Sequence, residues 1–155
     1  MKKNRSLILF PLMVLGFMTM FMSGCKKDSS STPSSYFTCK IDGTAFSATN
    51  LLNCSISQGN AMVNGSTATS FVYFWLPDVA TKKAGTYTLD EIVFRYSPSF
   101  AADNFEITSG SVVVTSYNSS TSTLTGTFSG KVENSTGATK TITEGKFSVH
   151  LNTAQ

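Results

Sequence analysis

The chain has 155 residues, enough for one ordinary domain with a single core, and carries twelve Lys and Arg against nine Asp and Glu, for a net charge of +3. Lys2, Lys3 and Arg5 all fall in a segment expected to be cut away, and their loss leaves nine charges of each sign. A neutral domain excludes the clustered cation surplus that nucleic-acid binding requires.

In chain order, the first element is a targeting segment. Lys2, Lys3 and Arg5 form a basic flank, and Leu7 to Met22 is an apolar run whose one clearly polar member is Thr19. It is shorter than the roughly 20 apolar residues of a spanning helix, and small residues follow it where a peptidase cuts. Those residues, Met22-Ser23-Gly24-Cys25, resemble the lipobox of bacterial lipoproteins, with Met22 where the pattern usually has Leu. The resemblance implies cleavage before Cys25 and lipidation of its thiol. Residues 1–24 then read as a signal peptide. Residues 25–35, dominated by Ser after Lys26-Lys27-Asp28, read as a lipidated cysteine and a flexible tether. More than one acyl chain gives stable anchoring, so the expected location is the bacterial cell envelope, lipid-anchored in the outer membrane and facing either the periplasm or the surface.

Residues 36–155 are rich in Ser, Thr, Gly, Val and Phe and lack sustained helical spacing, so strands are expected throughout. Tyr36 to Ile41 alternates, with Phe37, Cys39 and Ile41 on one side, and Asp42-Gly43 turns it back into Thr44 to Ala48. Leu52, Cys54 and Ile56 form the next alternating set, closed by Gly59-Asn60. Asn64-Gly65 predicts another turn before the most apolar run, Phe71 to Leu76, which Pro77-Asp78 ends.

Gly85 to Leu89 and Ile92 to Tyr96 are predicted as short strands about Asp90-Glu91, and Ser97 to Asn104 as a loop or one helical turn. Gly110 to Tyr117, Thr123 to Val132 and Ala138 to Leu151 follow as longer strands, with a bulge at Glu144-Gly145. One buried and one wet face in a meander result. The expected fold is all-β: a single antiparallel β-sandwich, with a β-barrel as the alternative.

Ile41-Asp42-Gly43, Gly85-Thr86-Tyr87, Gly110-Ser111-Val112 followed by Thr115-Ser116-Tyr117, Leu124-Thr125-Gly126-Thr127-Phe128 and Thr143-Glu144-Gly145-Lys146-Phe147 recur in this order in a known family. The chain resembles small Bacteroidota lipoproteins grouped as a domain of unknown function. That resemblance implies an exported antiparallel sandwich or barrel and supplies no catalytic residues. Lipoproteins of that phylum bound for the outer face tend to carry several acids after the cysteine, and Lys26-Lys27-Asp28 offers one.

With Cys25 given to lipid, Cys39 and Cys54 remain, both on the apolar parity of their strands. An envelope compartment permits a disulfide between them, and two buried free thiols would give the same sequence pattern. Two cysteines and the single histidine, His150, cannot close a zinc site unaided. His150 stands opposite Phe147, Val149 and Leu151, as an exposed imidazole would. No nucleophile elbow, zinc helix or phosphate loop occurs, so no catalytic residue, metal or cofactor is expected. The acids Asp90, Glu91, Asp103 and Glu106 gather about two turns and are the one set from which an envelope hydrolase could be built. Asn64, Asn118 and Asn134 begin N-x-[ST] sequons, which the Ser/Thr/Asn-rich loops account for, and Lys82-Lys83 reads as a solvated turn.

Phe71-Val72-Tyr73-Phe74-Trp75-Leu76 is the remaining candidate. Period two puts Val72, Phe74 and Leu76 on one face and Phe71, Tyr73 and Trp75 on the other. If the aliphatic face is core, Tyr73 and Trp75 form an outward aromatic pair able to bind a glycan or an envelope protein. If the strand is central and covered on both sides, they are packing residues.

Overall fold

A computed structural model describes residues 34–51, 53–100 and 104–153. The signal segment, Cys25 and the tether to residue 33 lie outside the described residues, as do Leu52 and Asp103. The strands are β1 (Tyr36–Ile41), β2 (Thr44–Ser47), β3 (Ser55–Ser57), β4 (Asn60–Ser66), β5 (Phe71–Leu76), β6 (Gly85–Thr88), β7 (Val93–Ser97), β8 (Phe105–Asn118), β9 (Thr123–Glu133), β10 (Thr139–His150) and β11 (Asn152–Thr153). One helical turn, α1 (Val79–Lys82), joins β5 to β6. All strands belong to one sheet in the order β11-β3-β4-β5-β7-β8-β9-β10-β1-β2, with β6 beside β8. Pairing is antiparallel except between β11 and β3.

The all-β expectation holds. Of its two architectures the molecule is nearer the barrel, since one curled, open sheet stands where a sandwich would have two. The curl comes from the long strands. The first half of β8 pairs with β7, and its second half pairs with β6. Gly110 lies at the change of partner with φ +126°, a conformation that favours glycine. Bulges interrupt the register of β8 twice, between Ile107 and Ser109 and between Val114 and Ser116, and that of β10 between Ile142 and Gly145. Each bulge adds local twist. The expected bulge at Glu144-Gly145 is therefore present, with Glu144 at φ +53°.

Curling brings β1 over β5. Phe37 is wholly buried, with its ring 4.8 Å from that of Phe128, 5.9 Å from Phe74, 6.3 Å from Phe46 and 6.5 Å from Phe147. Phe94 completes this aromatic centre, 5.9 Å from both Phe74 and Phe128. At the sheet's margin, backbone bonds join Thr49 and Asn50 to Ser66, linking the segment after β2 to the end of β4.

The predicted turn at Asn64-Gly65 is not formed, because both residues lie inside β4. Gly65 serves close packing: a Cβ there would fall on the Phe37 ring. The turn residues at the start of β4 are Gln58 and Gly59, both at positive φ. Helix α1 was not foreseen. Its Val79 is buried, and the Ala80 N–H donates to the Gly59 carbonyl.

Candidate functional site

On β5, Val72, Phe74 and Leu76 point inward and are wholly buried, while Phe71, Tyr73 and Trp75 stand on the outer face, each partly exposed. This strand is central in the sheet, with its aliphatic face in the core and its aromatic face part-buried on the outer side. Trp75 lies between Met62 of β4 and Val93 of β7, and Tyr73 lies between Asn64 and Arg95. Phe100 stacks on Phe71 at 5.7 Å and remains 65% exposed. The result is an outward band of aromatic surface, bordered by the exposed Arg95–Glu106 ion pair at 2.9 Å. Beside Trp75, Ser55, Asn60 and Met62 help to line a shallow cleft of about 300 Å³.

Of the two states open to them, Cys39 and Cys54 are found here as buried free thiols. Cys39 sits on β1 between β10 and β2, whereas Cys54 precedes β3, on the far side of the sheet order. The Cys54 sulfur accepts from the Asn64 N–H at 3.5 Å and lies 3.6 Å from the Asn64 carbonyl, to which its thiol donates. Burial pushes the Cys39 thiol up to about 12 and raises that of Cys54, so both resist ionisation and reaction. A disulfide reagent is expected to find both unreactive in the folded mature protein. Without reductant, denaturation should release two thiols per chain; none would mean that the bridge forms.

Among the described residues Asp90, Glu91 and Glu106 do not come together as a pair. Glu91 accepts from the Thr88 N–H at 2.9 Å and pairs with Lys82 at 3.4 Å, and these contacts hold its carboxyl below the usual range, the Thr88 bond foremost. Glu106 is engaged by Arg95. Asp90 shares the turn with Glu91, and Asp103 lies outside the described residues. His150 is exposed, its Nδ1 2.9 Å from the Thr121 carbonyl. Among the described residues no three His, Cys, Asp or Glu gather as a metal would need.

One constellation went unread in the sequence. Asp42, in the turn between β1 and β2, accepts from Lys140 Nζ on Oδ2 and from the Thr141 N–H on Oδ1, both at 2.8 Å. Those two donors, Lys140 first, lower the Asp42 carboxyl, and Asp42 raises Lys140 in turn. Tyr96, 8% exposed, lies nearby with its phenol raised chiefly by burial. The available signal was parity: Lys140 stands two residues before the buried Ile142 and so falls on the inner face.

The fold and its surfaces define a small all-β half-barrel with an aromatic outer band. The chain belongs to the family described as domain of unknown function DUF6252, which matches residues 33–149. The resemblance to a family of unknown function is thereby confirmed over nearly the whole strand-forming region. Comparison with curated proteins and with solved structures gave no match.

Proposed function

We propose that this protein is a non-enzymatic binding module of the bacterial envelope, held to the outer membrane by lipid on Cys25 and contacting a glycan or an envelope protein through the outer band of β5. The observation that carries this reading is the outward placement of Tyr73 and Trp75 on a strand whose opposite face is wholly buried. Apolar aromatic surface left on the outside of a domain marks contact surfaces, and Trp and Tyr carry a disproportionate share of binding energy. The tether of residues 25–35 would give the domain reach from the bilayer, and its even charge leaves no general attraction for nucleic acid.

The double variant Tyr73→Ala, Trp75→Ala tests the reading. It is expected to keep the fold, losing no more than about 2 kcal/mol, since neither side chain fills the core. Retention of envelope polysaccharide or envelope protein on the immobilised wild type should vanish with the variant. Collapse of the fold, or unchanged retention, would remove the band as a binding surface.

A further inference from the structure

The inner face of this sheet is apolar almost throughout, and at one rim a lysine and a tyrosine stand together on it. Lys140 shares the inner face of β10 with Ile142 and pairs across to Val132, both wholly buried. Its side chain, 38% exposed at the end of the strand, reaches Asp42 at 2.8 Å. Tyr96 faces inward from β7 between Val72 and Phe105 and is 8% exposed. These groups surround a cavity of about 360 Å³ at the mouth of the half-barrel, completed by Ile41 and Phe46 as an apolar wall and by Ser70. Barrel mouths with an apolar lining and a few convergent polar groups are where small ligands bind.

The chemistry narrows the ligand. Asp42 and Lys140 cancel in charge, so the mouth offers no net field to select an anion or a cation. They present an acceptor and a donor side by side, and Tyr96 adds a third group that can do either. A hydroxyl both donates and accepts, so two neighbouring hydroxyls can bridge a carboxylate and an ammonium whose remaining sites are free. Phe46 and Ile41 suit the C–H face of a ring. We propose that the mouth binds one uncharged sugar residue, two adjacent hydroxyls spanning Asp42 and Lys140 and a third meeting Tyr96. The volume lies at the low end for ligand pockets and limits the occupant to about one ring. This site lies on the opposite face of the sheet from the band of β5, and either can fail without the other.

The test is titration of the full chain in detergent with methyl α-mannoside, methyl β-galactoside and methyl β-N-acetylglucosaminide, followed by amide and aromatic NMR. At least one glycoside is expected to shift the Thr141 amide, which donates to Asp42, and the Tyr96 ring, saturably and together. Asp42→Asn and Tyr96→Phe should each weaken that binding about tenfold. Asp42 has φ +48°, which Asn tolerates well, so this variant keeps the turn and the acceptor for Thr141 while removing the charge. The absence of a saturable shift at these residues with all three glycosides would overturn the proposal, and that result needs no variant. So would binding that both substitutions leave unchanged, or shifts confined to Tyr73 and Trp75.

Discussion

Phe37→Ala is expected to remove about 3–5 kcal/mol of stability, the usual cost of deleting a buried phenylalanine ring. Domains of this size have about 5–15 kcal/mol in total, so the variant would stand near unfolding. The expectation rests on position. Phe37 has no exposed surface, its ring neighbours those of Phe46, Phe74, Phe128 and Phe147, and Gly65 closes against it. The strands that supply these rings are fixed by hydrogen bonding, so the sheet cannot collapse to refill the space. Urea denaturation should show the midpoint falling with little change in slope. Phe100→Ala, which removes a ring that is 65% exposed, should shift the midpoint far less. Equal losses in the two variants would mean that Phe37 is not central to the core. Gly65→Ala places a methyl group where the Phe37 ring lies, and its cost should fall in a Phe37→Leu background because the two positions share that space.

Cys25→Ser is expected to abolish membrane retention by lipid. The apolar run Leu7 to Met22 is short for a permanent span, and the residues after it end in the one cysteine placed for modification. A wild-type protein processed there carries its acyl chains on its first residue, and two or more chains hold it stably on the bilayer. Mass spectrometry of wild-type membranes should find an acylated N-terminus at Cys25. The serine variant should appear as full-length precursor without acyl mass. Wild-type protein that retains residues 1–24 and bears no lipid would defeat the anchoring proposal.

Much of the fold was legible because period-two alternation is a local property. Phe37 and Cys39, Val72 and Phe74, and Leu124 and Phe128 all lie on the faces that alternation assigns. The turn at Asp42-Gly43 follows from the same short-range chemistry. What stayed hidden depends on neighbours. A strand does not state which partner it takes, so the change of partner along β8 and the resulting curl could not be read from its residues. Asn64-Gly65 carries a turn signature, but the glycine answers to a phenylalanine that lies 28 residues earlier in the chain. For Tyr73 and Trp75 alternation gave the face, and only the assembled sheet showed that this face is outward. Lys140 was passed over because a lysine in a strand is ordinarily solvated, and its inward parity matters only once Asp42 and Tyr96 are brought to it.

The pairing of β1 with β10 bears on when this domain can exist at all. Tyr36 lies opposite Ser148, and Asn152 lies opposite Ser55, so both the first strand and the third wait for partners more than ninety residues downstream. Contacts of such span slow folding, because the intervening chain must be closed into a loop before they form. During synthesis, the aromatic centre lacks Phe147 and β1 lacks its principal neighbour until nearly the whole chain has emerged. The sheet therefore closes last at the two ends of the chain, and a chain cut short before β10 would leave β1 with an open edge along its full length.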